Sequence, residues 1–93
     1  MRKFTFIAEY KGGTYISQYV ASELYIALRL WATELDEKIF TKSERDRIGF
    51  EINDADYYPV ALNGLDNVWC TAYLSNKSFL LLNIVETKSS TIE

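Results

Sequence analysis

The chain has no histidine, one cysteine, one proline and one methionine among its 93 residues, and no cluster of one charge sign longer than a few positions. Without histidine, the side chain that most often moves protons near neutral pH and ligates transition metals is missing, so histidine-dependent triads and histidine-bearing zinc sites are excluded. Carboxylate, tyrosine, lysine and lone-thiol chemistry remain. Cys70 has no partner in the chain, which excludes an internal disulfide and makes a reducing compartment the simpler expectation. Apolar runs such as Phe79 to Leu82 are far below the ~20 residues of a membrane-spanning helix. Met1-Arg2-Lys3 begins like a signal peptide, but Glu9 and Lys11 interrupt the apolar stretch that follows, so a cytoplasmic location is expected. Basic residues are scattered and the pI is near 4.9, which disfavours nucleic acid as a partner.

What is present favours a folded domain. Hydrophobic residues make up 48% of the chain, 15% is aromatic and the formal charge is only -3, enough apolar surface to offset chain entropy without a metal or disulfide staple. A single domain over residues 1–88 is expected, with 89–93 a frayed tail.

Phe4, Phe6 and Ala8 alternate with Thr5, Ile7 and Glu9 in the period-two pattern of a strand. Gly12-Gly13 accepts the positive φ angles of a two-residue hairpin loop, which would set Tyr10 opposite Tyr15 and Phe6 opposite Tyr19. Neither face of this hairpin is cleanly polar: the aromatics occupy one side and Ile7, Ile16 and Val20 the other. One of the two sets should be left uncovered unless the second helix and the Asn53–Leu65 segment cover it. Ser22 is the expected N-cap of a first helix running to about Glu37, with Leu24, Ala27, Leu28, Trp31 and Leu35 on one stripe and Ile26 and Leu30 outside it. Thr41-Lys42-Ser43-Glu44 has the capping-box form and starts a second helix, weakened by Gly49 and ending between Arg47 and Ala55. Asn53 to Pro59 reads as loop and Asn63-Gly64 as a turn. Val68 to Leu74 and Phe79 to Thr87, joined by Ser75-Asn76-Lys77-Ser78, form a second hairpin. The expected fold class is therefore α+β, an antiparallel sheet of about four strands in ββααββ order with helices mainly on one face.

Candidate chemistry is sparse. Glu34, Asp36 and Glu37 crowd the C-terminal end of the first helix, where the dipole disfavours negative charge, and could dock a basic partner. Asp54 and Asp56, with Glu51, offer carboxylates to a cation, but the spacing lacks the glycine and terminal glutamate of a calcium loop, so no metal or other cofactor is expected. Gly12-Gly13 joins two strands instead of opening a helix and is no phosphate cradle. Cys70, inside an alternating strand, is expected to be buried and unreactive. Tyr57 and Tyr58 beside these acids suit a mixed interface.

The opening hairpin with Gly12-Gly13-Thr14-Tyr15, followed by a helix carrying Ala27, Leu28 and Trp31, resembles in layout the strand–strand–helix antitoxins of the HicB-like type from Phe4 to Leu35. The whole acidic chain looks like the small immunity proteins found beside bacterial toxins. That resemblance implies stoichiometric binding to a cognate toxin, with charge complementarity speeding association. The expectation is thus a non-enzymatic bacterial protein-binding module, in its narrower form a toxin-neutralising immunity protein, meeting its partner through Glu34, Asp36, Glu37, Asp54, Asp56, Tyr57 and Tyr58. The alternative is a homo-oligomeric accessory domain that pairs through an uncovered sheet face or the Ile26–Leu30 patch.

Overall fold

Alternation over the first ten residues yields strand β1 (Arg2–Tyr10), which folds back on β2 (Gly13–Ala21) in a computed structural model that describes residues 1–75 and 78–87. The hairpin turns on Lys11 and Gly12, whose φ angles of 49° and 82° supply the positive pair that a tight primed turn requires. The expected Gly12-Gly13 loop is thus displaced by one residue. Tyr10 faces Gly13, Ala8 faces Tyr15 and Phe4 faces Tyr19. A Cβ at Gly13 would meet the hydroxyl end of the Tyr15 ring. The register differs from the expected one by two residues, so every side chain keeps its predicted face.

Helix α1 (Leu24–Thr33) buries Leu24, Ala27, Leu28 and Trp31, the i, i+3, i+4, i+7 stripe. Its N-cap is Glu23, without a side-chain capping bond, and not Ser22. It ends at Thr33, four residues before the expected Glu37, because the Asp36 side chain accepts from the Lys38 N–H at 2.8 Å and the Asp36 carbonyl accepts from Ile39 and Phe40. A local turn thereby replaces helical bonds. Helix α2 (Lys42–Glu51) begins with a complete capping box: Thr41 Oγ1 accepts from the Glu44 N–H at 3.1 Å and the Glu44 carboxylate accepts from the Thr41 N–H at 2.8 Å.

A short 3-10 turn at Ala55–Tyr57 follows, then β3 (Val60–Ala61), β4 (Val68–Ser75) and β5 (Ser78–Thr87). The Asn63-Gly64 turn is present, closed by the Leu65 N–H on the Leu62 carbonyl. All pairings are antiparallel, in the order β2-β1-β5-β4-β3. The sheet therefore has five strands where about four were expected; the addition is two-residue β3, too short for periodicity to reveal. The Asn76-Lys77 centre of the second connection and the 89–93 tail lie outside the described residues.

Register sorts the side chains into two faces. Phe4, Phe6, Ala8 and Tyr10 share one with Leu80, Leu82, Ile84 and Tyr73, and both helices pack there through Leu28, Trp31, Ile48 and Ile52. Trp31 stacks on Phe6 and on Tyr73, and Phe40 stacks on Tyr10 at 4.7 Å between centroids. The aromatic set is thus core.

Candidate functional site

Among the described residues, no helix packs on the opposite face. Residues one position out of phase with the core line it in cross-strand rows: Gln18, Thr5, Val85 and Val68 in one, Ile16, Ile7, Asn83, Cys70 and Val60 in the next, Thr14, Glu9, Leu81 and Ala72 in a third. Val20 and Lys3 lie at one end of the sheet, Phe79 and Leu74 at the other. Ile16, Val60 and Phe79 are 66%, 67% and 70% exposed, and Val20, Leu74 and Leu81 are exposed as well. A contiguous apolar sheet face on this scale is far from the scattered single hydrophobics of an ordinary surface. Cys70 belongs to it and is half-buried, not enclosed in the core as expected.

Among the described residues the face carries two ionic side chains, Lys3 and Glu9, both on β1 and near its opposite ends. Neither has a hydrogen bond or ion pair among the described residues, whereas Thr5 Oγ1 accepts from Gln18 Nε2 at 2.8 Å. Its remaining described side chains are mostly aliphatic, with Phe79 at one end, Cys70, and several hydroxyl and amide groups.

The seven acidic and tyrosine positions expected to meet a partner fall into two places. Glu34 and Asp36 line an open cleft of about 350 Å³ with Tyr15, Tyr19, Trp31 and Ile39, where the end of α1 approaches β2. Glu37 is exposed in the turn beyond it. Asp54 and Tyr58 line a different cleft with Tyr25 and Ile52. The Asp54 carboxylate accepts from the Asp56 N–H at 2.9 Å, Asp56 itself is exposed, and the Tyr57 ring packs 6.3 Å from Tyr73. Burial, with the neighbouring Glu23, raises the Tyr58 hydroxyl above its ordinary value. Ile26 and Leu30 are exposed beside Arg29 and Thr33 and do not pack under α2.

Two buried carboxylates do more than was expected of them: Glu44 fills its capping-box place and also takes an ion pair, and Glu51 is a structural acceptor. Glu44 receives Lys11 Nζ at 2.7 Å as well as the Thr41 N–H, joining the first hairpin turn to the start of α2. Lys11 foremost, then the Tyr10 hydroxyl and the Thr41 N–H, hold it at about 2, against the opposing effect of burial. The Tyr10 hydroxyl is buried and makes no hydrogen bond among the described residues. Glu51, weighed above as a cation ligand, is occupied: it receives Arg47 Nε at 2.5 Å and the Leu74 N–H at 2.9 Å. That second bond caps a stretch of β4 that β3 is too short to pair. No group of three potential metal ligands occurs among the described residues, and no helix among them is long and apolar enough to cross a membrane.

Comparison with known proteins adds no family to this description: no family model, curated protein or solved structure significantly matches the chain.

Proposed function

We propose that this chain is a non-enzymatic protein-binding domain whose working surface is the helix-free face of the sheet. The observation that carries the reading is the exposure of Ile16, Val60, Phe79 and Leu81 on one continuous face, while both helices pack on the other. Sheet faces of this character bury themselves against another protein layer, because an α+β domain is stable with one face covered and the second remains free to take a partner. A photoreactive amino acid at Ile16 or Phe79 tests this in the cells that make the protein. Each should give one discrete adduct, and the same group at Lys42, exposed on α2, should give none. Absence of an adduct from both face positions contradicts the reading.

A narrower reading, neutralisation of a bacterial toxin, draws on a different feature. Glu34 and Asp36 share an aromatic-walled cleft, and such a wall with carboxylates at its rim suits lysine or arginine side chains of a basic partner. Charge reversal at Glu34 and Asp36 should then abolish binding to the product of the neighbouring gene; unchanged binding removes this version.

A further inference from the structure

The reading of the helix-free face as a binding surface leaves open what covers it, and two features of that face bear on the occupant. The first is size. Four long strands at about 4.8 Å spacing and eight residues at about 3.3 Å each give a plane of roughly 19 by 26 Å. Two such faces in contact reach about 1,000 Å² before side-chain relief is added, the threshold for a specific interface. The second is charge. Among the described residues of this largely aliphatic face, the only ionic groups are Lys3 and Glu9, of opposite sign, on the same strand and about 20 Å apart at ~3.4 Å per residue. An unrelated partner would need its own matching pair at that distance. A second copy of this chain has one already.

Building on that binding reading, we infer that the occupant is a second copy of the chain, stacked face to face about a two-fold axis that crosses β1 between Thr5 and Ile7, perpendicular to the strands. Rotation about that axis lays β1 antiparallel on β1 of the second copy at the ~10 Å separation of packed sheets, within reach of extended lysine and glutamate side chains. Lys3 then meets Glu9 of the second copy, and Glu9 meets its Lys3, at both ends of the contact. Between them the row of Gln18, Thr5, Val85 and Val68 lies over the row of Ile16, Ile7, Asn83 and Cys70. A two-fold axis running along β1 instead would set Lys3 on Lys3 and Glu9 on Glu9, which like-charge repulsion opposes. The pairing thus chooses the symmetry, and the aliphatic rows supply the contact.

Sedimentation of the full chain over a range of concentrations tests this. The wild type should dimerise, and Leu81→Lys should be monomeric. Leu81 is exposed and directly opposite Glu9, so that variant gains a cross-strand pair within its own sheet and should keep its fold, which circular dichroism checks. Lys3→Glu and Glu9→Lys should each weaken the dimer by about tenfold, since each places like charges at both ends of the contact. The double exchange should restore wild-type affinity within about threefold, because the pairs are re-formed with signs reversed. A wild-type monomer, a dimer indifferent to Leu81→Lys, or a double exchange no stronger than the singles overturns the proposal. A monomer that nevertheless gives an adduct with another chain from Ile16 in cells removes the second copy while leaving the binding surface in place; no adduct removes both.

Discussion

The two faces of the sheet are built from the same strands and often from adjacent residues, yet they have different fates. On β5, Leu80 and Leu82 are wholly buried while Leu81 between them is exposed; on β1, Phe6 is buried and Ile7 beside it is only half so. Chemistry separates them further. The covered face is aromatic at its centre, where Phe6, Trp31 and Tyr73 stack, whereas the uncovered one is mainly aliphatic at its exposed apolar positions, with Phe79 at one end and Thr5, Thr14, Gln18 and Asn83 interspersed. Hydrophobicity alone therefore does not mark the core of this domain. The core is the face on which helices with matching stripes arrive, and the other face remains apolar without an intramolecular partner.

The sharpest way to break this comparison is to truncate equivalent side chains on each side. Phe6→Ala should cost about 3–5 kcal/mol in urea unfolding, the range for a large buried ring, while Ile16→Ala should stay within about 0.5 kcal/mol under conditions where the chain is monomeric. Equal losses would show that the second face is structural. Next in size is Glu51→Ala, which leaves the Leu74 N–H and Arg47 without their acceptor and should cost about 1–3 kcal/mol, with faster amide exchange at Leu74.

The link between the hairpin turn and α2 should respond to acid. Because the folded state holds Glu44 at about 2 against an ordinary 4.5, its contribution is present in full above pH 4.5 and is lost as pH falls toward 2. Lys11 is half-exposed, so solvent screening limits this to about 1 kcal/mol. Thermal melts should show that decline in the wild type and a flatter profile in Glu44→Gln. The smallest effect has the opposite sign. A Cβ at Gly49 would meet nothing within 4 Å, and Gly49→Ala should therefore stabilise α2 by about 0.5–1 kcal/mol, measured as a raised unfolding midpoint.

Much of this contrast was legible in the residues themselves. Period-two alternation marked four strands, the Trp31 stripe marked the packing helix, and Thr41 with Glu44 marked the start of α2. Parity survives a two-residue change of register, which is why the faces of the first hairpin were assigned correctly although its turn was not. Lys11 could take the left-handed position because its ammonium is anchored on Glu44, a contact between residues 33 positions apart that no local pattern contains. The end of α1 was misread because the Asp36 side chain captures the Lys38 N–H, a competition between local hydrogen bonds that leaves the apolar stripe unchanged. As for the helix-free face, Ile7, Ile16 and Val20 were recognised as one of two sets that could be left over, but Val60, Leu74, Phe79 and Leu81 were not. The unbroken run Phe79 to Leu82 was the available signal, since a strand apolar on both sides is one that expects cover on both.

Cys70 offers the most direct test of that missing cover, because it is the chain's single thiol and lies half-buried on the helix-free face beside Asn83. Its rate of labelling by a small thiol reagent should fall as protein concentration rises and the face becomes covered by a second copy, and Leu81→Lys should remove that dependence. A wild-type rate that is the same at every concentration, and the same as in Leu81→Lys, would contradict the account.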